Sequence, residues 1–554
     1  MKKTAAILLI VITAGMAQAQ SAYDAWLFSE NNYEGTARSV AMGNAFTALG
    51  GDLGAVTINP AGSAVAGYSQ FTLTPSITFS TNTSVGVPYE GSSEPYFQKT
   101  MKSRMVNAGI PNIGFTFNFD TGRNSGLKSI TAGFVMNCSN SWCEDLYANG
   151  TNSETSFLAA TADDMSGAGI LPEALMDADA YNNPGLIWKD IVAYRSGMVS
   201  SISAYPDAYV GATENMSPDN PLDLQQGGPV DQTYGRAITG TKNEYMINLG
   251  ANISDFIYLG FNLGISSLSY DYTQYFKERA VDPENFLNRF TLNDGSEKNT
   301  YFSQAQHKYS YSATGSGVYG KFGIIVTPGY GLRFGAAIQT PAANVIREKR
   351  RESAEAYFTD SEFNSSASSP TGEFEYEFTS PFRANFGIAY TLGKFAVISA
   401  DYEIADFSGM RFEVNRHEMN DEDVRYFEDL NDEIKQSYGA AHHLRVGAEI
   451  RPLSTLALRA GYNLASSAQK AYYDSYDKNF HKMDISYRQN LSFGLGYSSK
   501  KSFFADLACR YSLPQDEFII PYSDYLLEEK GIYSPEILNR HSNWKVLLTL
   551  GWRF

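Results

Sequence analysis

The end of the chain alternates between a fully apolar set of positions and a more polar one. From Trp544 to Phe554 the even positions are apolar, while the odd positions include Lys545, Thr549 and Arg553. Successive side chains of a strand point to opposite faces, and a strand of a membrane barrel needs one face for lipid and one for the lumen. The ending therefore predicts a barrel strand with aromatic residues at both ends of its outer stripe.

Similar segments recur about fourteen times from Tyr68 onward. Tight turns near 120–126, 254–255, 328–329, 392–393, 451–452 and 498–500 alternate with long polar stretches at 85–106, 142–238, 276–300, 347–372, 413–436, 465–481 and 514–540. Short periplasmic turns and long extracellular loops are typical of outer-membrane barrels. We therefore predict an all-β fold, an antiparallel transmembrane β-barrel of about 14 strands over residues 68–554, with 142–238 as its largest loop.

Charged residues fall on the polar faces of these strands. They would be costly against lipid and are tolerable in a lumen. We expect them to form interior ion pairs that support the barrel and hold a plug, with a direct role in transport as the alternative. The predicted lumen charges are Arg333, Arg383, Glu403, Arg445, Glu449 and Arg488.

Both ends of the chain indicate the bacterial outer membrane. Residues 1–19 combine two lysines, an apolar run from Ala5 to Ala14 and a small-residue site, the pattern of a secretory signal peptide. That run is too short for a membrane-spanning helix. The terminal Phe554, with Trp552, resembles the sorting signal of outer-membrane barrels, so the barrel assembly machinery and outer-membrane lipid are expected partners.

Residues 20–67 lack the alternation of the barrel. A small-residue run from Gly35 to Gly51 predicts a short helix ended by paired glycines, with Asp52 as a cap for the next element. The sequence Asn59-Pro60-Ala61-Gly62 predicts a turn joining this segment to the first strand. Small side chains suit a plug packed inside the narrow lumen.

This glycine- and alanine-rich stretch, ending on Asn59-Pro60-Ala61-Gly62, resembles the hatch of the FadL/TodX family of outer-membrane transport proteins. Asn59, Pro60 and Gly62 match the hatch motif, and Gly35 is grouped with them. The resemblance implies a monomeric barrel that carries hydrophobic small molecules inward, such as long-chain fatty acids or aromatic hydrocarbons. It also implies a hatch in the lumen and a lateral opening beside an irregular third strand. The candidate third strand, 127–141, is interrupted by Gly133 and by the polar run 137–140.

Two apolar groups are candidates for contact with a hydrophobic ligand. One lies near the mature N-terminus and either threads into the lumen or forms a disordered tail. The other has helical spacing in the long loop after Pro184 and forms either a lid on neighbouring loops or a vestibule for ligand. With Phe46 of the small-residue run, the predicted ligand-binding residues are Tyr23, Trp26, Phe28, Phe46, Leu186, Ile187 and Ile191.

The net charge and the absence of catalytic motifs argue against other classes of function. A net charge of −17 argues against nucleic acid, which favours basic surfaces. The sequence has no H-E-x-x-H, G-x-S-x-G or P-loop motif, its one G-x-G-x-x-G match lies in a predicted strand, and His442 and His443 face opposite ways. We expect no enzyme activity, cofactor or metal; a Cys138–Cys143 bridge is left open. The rival function is a general porin or a structural or adhesin-type barrel without gated transport.

Overall fold

The computed structural model describes the chain from residue 21 to 554, apart from several short gaps. The described ranges are 21–88, 96–176, 179–181, 183, 185–291, 294–414, 419, 421–474, 479–499, 501–527 and 530–554. The signal peptide predicted for 1–19 lies outside these ranges, as does Pro184.

Fourteen antiparallel strands close into a barrel, which confirms the predicted fold. Each strand pairs with the next along the chain, and the first pairs with the last. The strands are β1 Gln70–Val87, β2 Met101–Asp120, β3 Leu127–Asn152, β4 Val230–Ile253, β5 Ile257–Ala280, β6 Glu297–Gly329, β7 Leu332–Gln339 with Ala343–Phe358, β8 Gly372–Thr379 with Phe382–Leu392, β9 Ala396–Asp406, β10 Ala440–Leu453, β11 Leu456–Ser466, β12 Tyr487–Ser498, β13 Phe503–Ile519 and β14 Glu536–Arg553.

The alternating residues of the sequence lie on the inner and outer faces of the barrel wall. In β12, Leu491, Phe493 and Leu495 are exposed on the outer face, while Asn490 and Ser492 are buried on the inner one. Apolar and polar residues alternate from 483 to 497 and predict a strand over that range, but β12 begins four residues later, at residue 487. An apolar outer face on a closed sheet is what an outer-membrane barrel requires.

The two rims of the barrel differ as predicted, with some shifted boundaries. The β6–β7 turn is centred on Tyr330 and Gly331, two residues beyond the predicted position, because both adopt the positive φ that a tight turn needs. The predicted loop 142–238 is too long: β3 continues to residue 152 and β4 begins at 230. These mixed-polarity ends lack clear alternation, yet their backbones remain paired with each other.

The helices and the remaining strands belong to the N-terminal segment and the loops. The α-helices are α1 Ala22–Ser29, α2 Ala37–Ala41, α3 Phe157–Gly167, α4 Pro172–Met176, α5 Trp188–Arg195 and α6 Asp421–Ser437. Short 3-10 helices are Gly54–Thr57, Pro60–Ser63, Pro283–Asn285, Ser361–Phe363 and Phe407–Gly409. Short loop strands are Val199–Ile202, Tyr205–Gly211, Glu214–Met216, Leu224–Gln226, Leu287–Thr291, Ser365–Ser368, Arg411–Phe412, Ala471–Asp474, Asn479–Lys482, Tyr525–Leu527 and Lys530–Ile532.

None of the helices in the described ranges is both long and apolar enough to cross a membrane.

The last residue closes the barrel through its backbone. Ser69 N donates to Phe554 O over 3.1 Å, and Phe554 N donates to Ser69 O over 3.0 Å. The Trp552 ring lies 6.1 Å from the Phe71 ring and 5.4 Å from the Phe503 ring, so it bridges the two strands beside β14. The terminal residues therefore join the first and last strands on the lipid-facing surface.

Deleting Phe554 should lower the amount of folded barrel in the outer membrane several-fold, because it removes both closing bonds and the exposed terminal ring. Synthesis should be unaffected. The measurement is the heat-modifiable band on a gel of isolated membranes, compared with total protein. Phe554→Ala keeps the two backbone bonds, so it separates the contribution of the ring from that of the closure. Wild-type membrane levels in the deletion variant would contradict an assembly role.

Candidate functional site

Residues 21–67, here called the N-terminal segment, lie inside the barrel. The described residues of this segment contain no strand, and those from Thr36 to Ser63 are almost all buried. Its helix α2 ends before Gly43, which has a φ of +62°, so the predicted stop at the paired glycines comes too late. The turn requires a glycine here, because a Cβ on Gly43 would meet Tyr462 O of β11 at 2.8 Å.

The segment rests on a row of inward-facing glycines, which we call the glycine belt. A Cβ on any of them would come within 2.8 Å of an atom of the segment. The absence of side chains lets two backbones approach closely. Several members are direct cross-strand partners, including Gly250 with Gly260 and Gly447 with Gly461. The belt comprises Gly250, Gly260, Gly323, Gly335, Gly387, Gly447, Gly461 and Gly494.

Asn59 fixes the segment to this belt. Its Oδ1 accepts a hydrogen bond from Ala61 N over 3.0 Å, while its Nδ2 donates to Thr47 O over 2.6 Å and to Ile324 O of β6 over 3.2 Å. Pro60 O accepts from Asn248 Nδ2 of β4 over 3.1 Å. The Asn-Pro-Ala-Gly turn thus docks on the wall of β4–β6 and is not the joint to β1, which residues 64–69 make.

The other two residues of this group, Gly35 and Gly62, lie where the N-terminal segment packs against itself. A Cβ on Gly35 would meet Gly54 Cα at 2.9 Å, and one on Gly62 would meet Gly50 Cα at 3.2 Å. Close backbone crossings therefore account for both glycines.

Charged residues of the segment pair with charged residues of the wall. Glu34 accepts from Arg510 over 3.0 Å and also pairs with Lys545. Burial opposes the charge on Glu34, but these two cations more than offset it, so the pKa of this carboxyl falls to about 2. Four residues further on, Arg38 pairs with Glu449 over 2.9 Å.

Each of the six predicted lumen charges contacts the N-terminal segment. Arg383 and Arg445 both pair with Glu403. The Tyr33 ring lies 4.9 Å from the Arg445 guanidinium, and its hydroxyl donates to Glu403 over 3.5 Å. The remaining contacts with the segment are Arg383 to Ser29 O, Arg333 to Leu49 O at 2.7 Å, Arg488 to Glu30 at 3.1 Å and Glu449 to Arg38. The segment and the wall thus share one polar network.

The wall is interrupted between β2 and β3. Their pairing ends at Asn112 and Asn137, whereas β3 remains paired with β4 up to its last residue. Above that point β3 lies against inward side chains: Asn82 Nδ2 of β1 donates to Asp145 O over 2.9 Å, and Ser103 Oγ of β2 donates to the same oxygen. Within the described part of the wall, the upper half of β2 therefore has a strand partner on one edge only, and we call this place the wall break.

A bulge at Ser139 accompanies the wall break. The β3–β4 register shifts between Cys138 and Asn140, which leaves Ser139 as the extra residue. Gly133, predicted to interrupt the strand, is regularly paired on both sides, and β3 continues beyond the predicted end at Ser141. A glycine fits a regular strand here because its neighbours crowd the site: a Cβ would meet Phe115 O at 2.5 Å.

The N-terminal segment provides hydrogen-bond donors at this bulge. Asn32 N donates to Ser139 O over 2.6 Å, and Glu34 N donates to Cys138 O over 2.9 Å. The Glu34 side chain also accepts from Ser141 Oγ over 2.9 Å. The segment thus satisfies backbone groups of β3 at the point where β2 stops doing so, and this links the segment directly to the wall break.

The predicted ligand-binding residues lie in three different places. Tyr23, Trp26 and Phe28 of α1 pack among aromatic residues of the upper wall and α6, with the Phe28 ring 5.8 Å from the Tyr270 ring. Phe46 lies deeper, in a cluster within the segment that includes Tyr33, Met42 and Leu49. The loop residues Leu186 and Ile191 are buried in a separate extracellular core, with Ile187 partly buried at the start of α5.

That extracellular core belongs to the external cap, by which we mean the described part of 153–229. Burial raises the pKa of Asp190 in α5 to about 7, against the charge of Lys189 and with Asp164 and Glu352 adding to the shift. Burial also raises the pKa of Glu214 to about 7; the hydrogen bond from Gly211 N opposes this shift, while the nearby Asp163 and Glu278 add to it. At a pH below about 7 and above their ordinary pKa values, both carboxyls thus hold protons in the folded cap that they would release on unfolding, because their pKa values return to the ordinary range there.

Several residues of the site are not predictable from the sequence alone. The belt glycines are scattered singly through eight strands, and only the strand register shows that they form one row. Glu34 and Arg38 are isolated charges in a small-residue run, and their spacing of four was the only available signal. Cys138, Cys143 and Cys509 are unbridged; Cys138 Sγ lies 3.0 Å from Asn140 O. Within the described ranges, no group of His, Cys, Asp and Glu is arranged to hold a metal ion.

Gly323→Ala should disturb the N-terminal segment, because the new Cβ would stand 1.9 Å from Asn59 Oδ1. We expect a cost of about 1–3 kcal/mol, typical of overpacking. The expected signs are faster proteolysis of the segment and higher single-channel conductance, with the barrel still heat-modifiable. Gly320→Ala on the same strand is the matched control, since its nearest neighbour would be 3.8 Å away. Equal behaviour of the two variants would contradict the seating role of the belt.

The external cap should be more resistant to proteolysis at pH 5 than at pH 8. The folded pKa values of Asp190 and Glu214 lie above their ordinary ones, so the folded cap binds more protons and loses stability as the pH rises through about 7. The measurement is cleavage within 153–229, normalised to an unfolded peptide at each pH. The double variant Asp190→Asn, Glu214→Gln should flatten the pH profile; an unchanged profile would refute this assignment.

Comparison with known proteins finds similar solved structures, whereas the sequence itself finds no match. No protein-family profile matches the sequence, and no curated protein matches it. The crystal structure of the Pseudomonas putida toluene transporter TodX is 12% identical, with 94% of this chain and 98% of that one covered at a TM-score of 0.48. A Pseudomonas aeruginosa FadL homologue is 11% identical (94% and 98% covered, TM-score 0.46), and the Ralstonia pickettii toluene transporter TbuX 13% (94% and 99%, 0.42).

These solved structures are of the FadL/TodX type that the sequence resembles. Their TM-scores are below 0.5, so the barrel, the wall break and the seat of the N-terminal segment are established by the strand pairing and contacts of this chain itself. The protein is a closed fourteen-stranded outer-membrane β-barrel, similar over most of its length to FadL/TodX-type proteins.

Proposed function

We propose that the protein takes up hydrophobic small molecules across the outer membrane, through the wall break between β2 and β3. The observation that carries this proposal is the loss of pairing above Asn112 and Asn137 beside a bulge that the N-terminal segment contacts. A structural barrel gains nothing from an unpaired strand edge in its wall, since exposed edges are costly in a membrane. A lateral route, by contrast, delivers an apolar molecule directly into lipid.

The lumen of the barrel is poorly suited to act as a water-filled pore. The N-terminal segment lies against the belt on eight strands and carries the polar network described above. In the proposed mechanism this segment acts as a hatch that blocks free diffusion of small polar solutes. Val106 and Ile110 of β2 stand exposed on the lipid side beside the wall break, so a ligand leaving there meets an apolar surface.

The ligand class follows from the apolar surroundings of α1. Trp26 stacks 6.4 Å from Tyr438, and Phe28 contacts Tyr270, which gives aromatic rings on both sides of the helix. We infer that an apolar ligand such as a long-chain fatty acid or an aromatic hydrocarbon replaces part of α1 in this cluster. Two of the similar structures are described as toluene transporters, which supports the same class.

Deleting Ser139 tests the proposal, because it removes the extra residue and allows β3 to pair with β4 without the register shift between Cys138 and Asn140. We expect uptake of both a long-chain fatty acid and toluene to fall at least tenfold in cells producing the variant. Ser139→Ala is the matched control: it keeps the bulge and loses only the bond from Ser139 Oγ to Lys242 O.

Equal surface levels and heat-modifiability of the two variants must be established first. The proposal would be wrong if the deletion variant, folded and at normal levels, transported both ligands at the wild-type rate. Uptake lost equally in both variants would point to the hydroxyl and away from the bulge, which also contradicts the lateral route.

A further inference from the structure

A group of basic and hydroxyl side chains lies on the outer face of the barrel, at the extracellular end of β14, β1 and β2. The strand register places Lys102 and Arg540 directly opposite Thr83, and Arg104 and Ser542 directly opposite Thr81. Lys102, Arg104 and Arg540 are exposed, and the other three are partly exposed. We call these residues the basic patch: Thr81, Thr83, Lys102, Arg104, Arg540 and Ser542.

The patch lies at the level of the lipid headgroups. One step below it, Phe79 pairs with Val106 and Trp544, and the Trp544 ring stacks 4.4 Å from Tyr511. Aromatic residues in such a row mark the upper border of the apolar band of a barrel. Arg104 and Lys102 are two and four residues beyond Val106, which is about 5 Å and 10 Å above that border for a tilted strand.

Two cations of the patch are not neutralised by the protein. In the described ranges Lys102 and Arg104 form no ion pair, whereas Arg540 pairs with Asp516 over 2.7 Å. The opposite side of the barrel provides a comparison. Arg347 and Lys349 stand two and four residues beyond Val345, but there Glu375 and Glu373 pair with them.

We propose that the basic patch binds a phosphate group of an anionic lipid in the outer leaflet of the membrane. Guanidinium and ammonium groups are strong phosphate ligands, and the threonine hydroxyls beside them can donate further hydrogen bonds. The acyl chains of the same lipid would lie along Ile77 and Val106, which are exposed on the face below. This continuity of charge and apolar surface selects a membrane lipid over a soluble anion.

The site also has a defined position relative to the wall break. Lys102 and Arg104 lie on the half of β2 that has only β1 as a partner. A lipid held there would border the unpaired edge of β2. The inference does not depend on the proposed uptake function, because it requires only the outer-membrane location and the charges of this face.

The test is native mass spectrometry of the full-length protein in detergent, with lipid A as the probe. We expect the double variant Lys102→Gln, Arg104→Gln to bind lipid A at least tenfold more weakly than the wild type, since each basic residue near an anionic surface contributes appreciably to binding. The matched control is Arg347→Gln, Lys349→Gln, which should bind lipid A as the wild type does. Both variants should remain heat-modifiable.

Three outcomes would overturn the proposal. The first is equal weakening in both double variants, which would indicate a diffuse effect of charge. The second is wild-type binding of lipid A that is no tighter than binding of phosphatidylcholine. The third is complete displacement of lipid A by millimolar inorganic phosphate, which would indicate a site for a free anion. A substituted patch that loses lipid A yet leaves uptake intact would support the site and separate it from the transport proposal.

Discussion

The close contact between the backbone of the N-terminal segment and the glycine belt determines most of the interior. At Gly260 and Gly461 the segment comes so near that a Cβ would stand 2.1 Å from one of its backbone nitrogens. Only strands without side chains at these positions leave enough room in a barrel of this size. The belt therefore sets the height and direction of the segment, and the positions of its charged residues follow from that.

The polar network depends on this seat. Because the belt fixes the backbone, Glu34 reaches Arg510 and Lys545, and Arg38 reaches Glu449. Breaking a buried pair by removing one partner typically costs about 3–5 kcal/mol, whereas a buried pair as a whole adds little stability over apolar packing. The network is thus better suited to fixing one register of the segment than to making the barrel more stable.

The sequence predicts the barrel better than it predicts the interior. Alternation in β12 and β14 reports directly which face meets lipid, so strand number, rims and closure follow from local patterns. The seat of the segment does not, because Gly260 and Gly323 come together only through pairing across the sheet. The bulge illustrates the same limit: Gly133 and the polar run 137–140 were both predicted interruptions, and only the strand register shows that the extra residue is Ser139, within that run, while Gly133 is regularly paired. Likewise, Trp26, Phe46 and Ile191 share an apolar character but not a location.

In the proposed uptake the N-terminal segment acts as a hatch, and the polar character of its seat affects the free energy that its displacement requires. Exposing an apolar interface to water would cost about 25 cal/mol per Å². Charged groups such as Arg383 and Glu403 regain hydration when the segment withdraws, so water compensates for much of the loss of their bonds to Ser29 O and Tyr33. The backbone bonds from Asn32 and Glu34 to the β3 bulge break in the same movement. In the proposed uptake, displacing a segment held by polar contacts therefore requires less free energy than displacing one held by an equal apolar area, and the same movement breaks its bonds to the strand that borders the wall break.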